Sequence, residues 1–401
     1  MFNAANTGFM LLAAALVMIM TPGLAFFYGG LVGRSNTLTI MIQSFASMGI
    51  TTVMWWLIGY SLCFSGGADG IYGNFHLAFL RHVSVASIYA PSGIPTVVLI
   101  AYQMMFAIIT PALITGAFTN RITFKAYLLF LVVWQVFVYY PFVHMFWGGG
   151  LLAVWGAHDF AGGIVVHASA GFAALASVLY VGKRRYPDAP HSIPFIALGT
   201  GLLWFGWYGF NAGSELKVDN VTSLAFLNTD LAASFAAVTW LFVEWRSAKK
   251  PHFVGLLTGA VAGLATITPA AGFVPIYAAV IIGIAAGLVC YYAIQLKNRL
   301  KWDDALDVWG VHGVGGLLGI ILLGVFASTA VNPAGATGLI HGSATFFGKQ
   351  VAAGLGCSLY AFAFTYAMLT VINLITPVRV TDVAVEAGLD EHMHGESAYA
   401  M

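Results

Sequence analysis

Two stretches decide the fold: Asp159-Phe-Ala-Gly-Gly-Ile-Val-Val-His167-Ala-Ser-Ala-Gly171 and Asp307-Val-Trp-Gly-Val-His312-Gly-Val-Gly-Gly316. Each sets Val-His inside an apolar run, with a glycine four residues beyond the histidine. The two occupy matching places in successive sets of five apolar runs. A repeat with an odd number of crossings enters the membrane in the opposite sense, so the pair predicts two halves related by a pseudo-two-fold axis in the membrane plane, with a pathway between them. If the helices start near 160 and 308, the histidines lie about 10 Å and about 6 Å along them, and the repeat axis brings them together. An ionisable group at that depth is costly unless paired, and marks an ion or proton path. A single such histidine would instead be read as a core side chain bonded to a carbonyl; two at related positions favour the path.

Working outward, the composition permits only a membrane protein. Of 401 residues 60% are apolar and 8% charged, and the mean hydropathy is +0.87. Sixteen Lys+Arg and 15 Asp+Glu cannot cover soluble domains of that length with a polar surface. The net charge of +1 gives no basic face for nucleic acid. Cys63, Cys290 and Cys357 all sit in apolar stretches, which implies no disulfide framework.

Runs near 8–29, 39–64, 95–117, 122–143, 160–181, 193–213, 230–246, 253–273, 276–296, 308–329 and 343–375 are each long enough to cross as helices. The expected fold class is therefore an all-α integral membrane protein with eleven transmembrane helices. A first repeat spans about 8–181 and a second about 193–329, followed by a long tilted eleventh helix of roughly 50 Å. The first run lacks a basic n-region and reads as a true span rather than a secretory signal. Eleven crossings would put Arg34, Arg121, Lys125, Lys183, Arg184, Arg185, Arg246, Lys249, Lys250, Lys297, Arg299, Lys301 and Arg379 on one side, and only Arg81, Lys217 and Lys349 on the other. The positive-inside rule then gives N-terminus out and C-terminus in. Gly259-x-x-x-Gly263, Gly283-x-x-x-Gly287 and Gly315-x-x-x-Gly319 allow close helix packing.

Neutral imidazole offers one donor and one acceptor, so two of them suit a small neutral hydrogen-bonding solute. A dehydrated metal ion would need carboxylates, and none lies beside them in the sequence. A bis-His haem, as in a membrane cytochrome, is the rival reading. In Phe142-Val-His-Met-Phe-Trp147-Gly-Gly-Gly150 an indole, the best cation–π face, meets glycines that permit close approach. It is also what an aromatic-belt anchor looks like. Tyr102-Gln-Met-Met-Phe106 and Trp207-Tyr-Gly-Phe210-Asn-Ala-Gly-Ser214 are core packing unless they converge on one vestibule; Phe210 and Ser214 share a helix face.

Together with Pro22-Gly-Leu-Ala-Phe-Phe-Tyr-Gly-Gly30, these motifs resemble the ammonium transporter, methylammonium permease and Rhesus family, specifically its bacterial or archaeal branch. The resemblance covers nearly the whole chain. It implies a multi-pass transporter of the cell (inner) membrane rather than an enzyme, without metal or cofactor, assembled as a homotrimer with one pore per subunit. It implies an external ammonium site from Trp147, Phe106 and Ser214, a gate from Phe106 and Phe210, a pore pair and proton relay from His167 and His312, and support for the outer site from Asp159. Trp207 is a further candidate for the pore or vestibule. On this likeness ammonium, possibly with methylammonium, sheds a proton and crosses as ammonia, the proton passing separately. An ammonium sensor with little flux is a second reading.

After the transmembrane part, taken as residues 1–376, the chain turns polar. By composition the 377–401 segment is a solvated tail. Its Gly388-Leu389-Asp390 and His394-Gly395-Glu396-x-x-Tyr399 elements resemble the family's cytosolic regulatory tail, which docks on a neighbouring subunit's cytosolic face and accompanies a PII-type signal protein as partner.

Overall fold

A computed structural model describes residues 1–185 and 189–399. Helices α1 (Ala4–Leu31), α2 (Arg34–Phe64), α3 (Thr96–Phe118), α4 (Phe124–Trp155), α5 (Gly163–Val181), α6 (Ile193–Glu215), α7 (Asn220–Ala248), α8 (Phe253–Ile267), α9 (Ile276–Arg299), α10 (Trp309–Phe326) and α11 (Ala344–Ile375) run in chain order. Among the described residues ten of these are long and apolar enough to cross a membrane; α8 is the exception, with 15 residues. The apolar run there reaches 273, but Pro269 has no N–H to continue the helical ladder, and although Thr268 keeps helical φ/ψ, Thr268–Phe273 form turns. The seventh helix begins earlier than its apolar run. Asp219 caps it by accepting from the Val221 and Thr222 amides, which draws the mixed polar and apolar stretch 220–229 into the helix. That extension leaves Asp230 three turns inside α7, where one carboxylate oxygen accepts from Tyr208 Oη (2.6 Å) and Trp204 Nε1 (3.2 Å).

All three glycine pairs pack at closest approach. A Cβ on Gly283 or Gly287 would lie 2.6 or 2.7 Å from the carbonyls of Ala232 and Ala236 on α7. Gly259 and Gly263 of α8 abut the same stretch of α7, and Gly319 of α10 abuts the Thr266 carbonyl of α8. A side chain at these positions would hold the backbones apart.

The helix ends sort the charges. At one end Arg184 forks onto Asp303 (2.7 Å), Arg121 lies 3.6 Å from the same carboxylate, and Lys297 meets Asp307 at 2.6 Å. At the other end the residue 65–95 segment, with a short antiparallel pairing of β1 (Ile88–Tyr89) and β2 (Ile94–Pro95), packs beside the chain start through Asn3 N–H to the Gly93 carbonyl.

Candidate functional site

The first turns of α5 and α10 are π-helical, over Gly163–Ala168 and Trp309–Gly313. Each of those turns contains its histidine, and π-turns widen the spacing of side chains on a helix face. The helices cross with no side chain between them. A Cβ on Gly171 would run into the Gly313 backbone, and one on Gly316 would lie 2.6 Å from the Gly163 carbonyl and 2.8 Å from His167 Cβ. The glycine after each histidine thus seats against the segment carrying the other histidine, a reciprocity that brings the rings to 5.3 Å between centroids, 22° from parallel.

The rings are hydrogen-bonded, Nδ1 to Nδ1, at 3.3 Å, and both residues are buried. Their tautomers follow from a residue the sequence reading missed. Thr268 Oγ donates its one proton to the Leu264 carbonyl (2.8 Å) and accepts from Trp207 Nε1 (2.9 Å). His167 Nε2, 3.3 Å from the same hydroxyl, must then donate to it. That leaves His167 Nδ1 as acceptor and His312 Nδ1 as donor, so the His312 Nε2 lone pair remains for the lumen. A haem iron would have to lie between two nitrogens already at hydrogen-bond distance, and the cavity beside them is about 10 Å³. The macrocycle does not fit.

Above the histidines the aromatics form a column. Phe210 stacks on His167 (5.9 Å, 26°) and Phe106 on Phe210 (4.2 Å, 33°), while Trp147 stands edge-on to Phe106 (5.8 Å, 83°). Phe106, Trp147 and Ser214 wall an open vestibule of about 440 Å³, and Phe210 and the histidines wall the small cavity below, so the stacked phenyl pair is the partition. Ser214 Oγ sits 2.8 Å from the Phe210 carbonyl and 3.3 Å from Tyr102 Oη. Trp207 faces the lower cavity, stacked on His167 at 5.4 Å, and takes no part in the vestibule wall. Beneath His312 a third cavity of about 50 Å³ leads between Phe27, Val261 and Asp307. The three hollows lie in series, the lower two sharing Phe27, Val261 and His312.

The chain carrying this site has counterparts among known proteins over nearly its whole length. The family model described as Ammonium Transporter Family matches residues 8–399. The chain belongs to the ammonium transporter family. An ammonium transporter of Bacillus subtilis is 45% identical over 397 residues, covering 98% of each chain. The crystal structure of Mep2 from Candida albicans superposes with a TM-score of 0.89 at 36% identity, over 95% of this chain and 87% of that one. A structure called Sensor Amt Protein also superposes, with a TM-score of 0.89 at 27% identity over 97% of this chain and 98% of that one. The family is one of multi-pass transporters, not of enzymes.

Asp159 does not point into the vestibule of this family member. Its carboxylate accepts from the backbone amides of Gly162, Gly163, Ile164 and Val165 at 2.6 to 3.1 Å, capping α5, while its carbonyl accepts from Trp147 Nε1 at 2.8 Å. One residue therefore ties α5 to the vestibule wall. At α10 the matching role falls to Asp304, which accepts from Trp309 N–H at 2.7 Å, rather than to Asp307, whose carboxylate bonds Lys297. The signal was present in the sequence: counted from the histidines, Asp159 and Asp304 both stand eight residues upstream. Burial pushes the Asp304 carboxyl up to about 6, with Lys297 pulling the other way, and its Oδ1 has no partner among the described residues.

The tail lies along its own chain's charged end. Val380 N–H bonds the Arg121 carbonyl (3.0 Å), Thr123 N–H bonds the Val378 carbonyl (2.9 Å), and Arg379 reaches the Val181 carbonyl (3.1 Å). Gly388, at φ +87°, packs on Ser35, which admits Leu389 to a small buried cluster with Val380 and Ala384. Asp390 then accepts from Leu38 N, Thr39 N and Thr39 Oγ at 2.7 to 2.9 Å, capping the regular part of α2. A π-turn over Asp390–His394 sets His394 edge-on to Phe124 (5.3 Å) and closes at Gly395, φ +67°. The Glu396 amide turns back toward the Asp390 carbonyl at 3.4 Å. Tyr399 is held by His191 Nε2 (2.7 Å) and lies under the Arg34 guanidinium (4.6 Å).

Proposed function

We propose that this protein recruits ammonium between Trp147, Phe106 and Ser214, removes a proton there, and conducts ammonia past the Phe106–Phe210 gate and along His167 and His312. The column of rings with hollows in series is the observation that carries this reading. A cation–π cup worth about 0.5 to 2 kcal/mol attracts ammonium and potassium alike. Discrimination then rests on chemistry: ammonium loses its charge by deprotonation, and potassium must carry its charge into an apolar passage at full desolvation cost. Ser214 Oγ accepts an N–H bond that potassium cannot offer.

The proton travels separately, which makes transport electrogenic. Supporting this is the directional order of the imidazoles, with donors running from His312 to His167 to Thr268 and a free lone pair at the lower end. The reading extends to eleven crossings with α8 as the short eighth, two inverted halves of five helices, N-terminus out, and residues 377–401 as a cytosolic regulatory tail. Supporting it are the reciprocal Gly171 and Gly316 contacts and the gathering of Arg121, Arg184, Lys297 and Arg379 at one end. Methylammonium as a second solute, homotrimeric assembly and a PII-type partner belong to the same reading.

Currents evoked by ammonium, methylammonium and potassium on reconstituted protein test the reading. His167→Leu or His312→Leu should abolish the ammonium current; an unchanged current with unchanged selectivity rejects the relay. The likeness to Sensor Amt Protein favours one second reading, a sensor with little flux. That reading predicts ligand-dependent partner binding from protein that moves no ammonium in liposomes.

A further inference from the structure

We infer that Gln350 is a positioning residue for the outer ammonium site, acting on Trp147 through the backbone of residues 158 and 159. It lies on α11, outside both five-helix sets, with its side chain fully buried. Its amide makes a two-point clasp on one residue of the loop between α4 and α5. Oε1 accepts from His158 N–H at 2.8 Å, and Nε2 donates to the His158 carbonyl at 2.7 Å. The next carbonyl along the chain, that of Asp159, receives the Trp147 indole N–H at 2.8 Å.

This arrangement separates two functions of one loop. The Asp159 carboxylate is fixed to α5 by its bonds to the amides of residues 162–165, so the pore side of the loop is held whether or not Gln350 is present. Phe160 N–H adds a bond to the Pro269 carbonyl at 3.1 Å on that same side. On the vestibule side Ala157 N–H bonds the Leu152 carbonyl at 2.9 Å, and the step from there to Asp159 runs through His158. There the His158 ring is wedged edge-on between Phe273 and Phe346 (5.5 and 5.6 Å), and ring packing permits rotation and slip that a paired amide forbids. The Gln350 clasp therefore sets the height and angle at which the Asp159 carbonyl meets the indole. Because the Gln350 amide is fully buried, leaving its groups or those of His158 unpaired there is costly.

The inference rests on the reading of Trp147 as a wall of the ammonium site, and the test separates the two. Gln350→Met keeps the length and removes both bonds; Gln350→Glu keeps an acceptor for His158 N–H and loses the donor. In the full-length protein reconstituted in liposomes, Gln350→Met should raise the half-saturating ammonium concentration about three- to tenfold, the weight of roughly one hydrogen bond, with maximal flux little changed. Gln350→Glu should fall between it and the unaltered protein. Trp147→Phe, which removes the indole N–H, should raise the same constant, and Gln350→Met added to Trp147→Phe should add little further. Fully additive effects, or equal loss of affinity and maximal flux in both Gln350 variants, would overturn the role assigned to Gln350. A Trp147→Phe protein with unaltered half-saturation would instead remove the outer-site reading itself.

Discussion

Asp159 and Asp304 stand at equal spacing before the two facing histidines, and their fates differ. Asp159 spends both carboxylate oxygens on the first amides of α5. Asp304 gives one oxygen to Trp309 N–H and leaves the other without a partner among the described residues. The backbone pattern recurs, and burial raises both carboxyls, but the hydrogen bonding diverges: one carboxylate has both oxygens bonded, the other keeps one bare. The lesson is that recurrence in the sequence fixes the placing of a group more closely than it fixes the number of its partners.

The largest expected effect breaks that comparison directly. Asp159→Ala would strand the buried amides of residues 162–165, at about 1–3 kcal/mol for each one left unsatisfied, and should abolish stable folding. Asp304→Ala strands mainly Trp309 N–H and should cost about 1–3 kcal/mol in all. Thermal unfolding in detergent checks both, and equal losses would contradict the asymmetry. Next, Thr268→Val removes the acceptor shared by Trp207 and His167, for which α10 shows no counterpart at His312. Ammonium-evoked current should fall about tenfold, equivalent to about 1.4 kcal/mol, while the His312 equivalent cannot be disturbed in this way.

A smaller effect concerns pH. With its carboxyl raised from an ordinary 3.8 to about 6, Asp304 binds a proton more tightly folded than unfolded. Its contribution to stability is complete below the ordinary value and is lost as pH rises through about 6. Asp304→Asn should flatten that part of the unfolding profile; an unaltered slope would assign it elsewhere. The smallest change is at another helix-capping aspartate, Asp390, buried where the tail docks on α2. Asp390→Ala should cost about 1 kcal/mol of local stability, read as faster hydrogen exchange over residues 378–399 with the pore helices unaffected.

Much of this was legible in the residues. Continuous apolar runs located the helices because lipid demands internally satisfied backbone, and the paired Val-His motifs located the facing imidazoles because buried imidazoles are expensive unless paired. What escaped depends on distance or on register. Thr268 and Gln350 are far in sequence from the groups they bond, and no periodicity points to them. Asp304 was passed over because Asp307 begins the more obvious motif, although counting back from the histidine selects the former. Asp230 was taken as a helix start because Asn220, Asn228 and Thr229 interrupt the apolar pattern and hide the true beginning of α7. The short eighth helix follows from Pro269, a local signal outweighed by the hydropathy of its surroundings.

The seating of Gly171 and Gly316 against the opposite backbone has a mechanical consequence. Main chain resting on main chain forms a stiff girdle where α5 meets α10, with no compliant layer of side chains to shear, so these two helices cannot rock past one another there. On the proposed reading, admission falls to the phenyl rings above, and turnover should follow how often those rings swing aside rather than any wholesale tilting of helices.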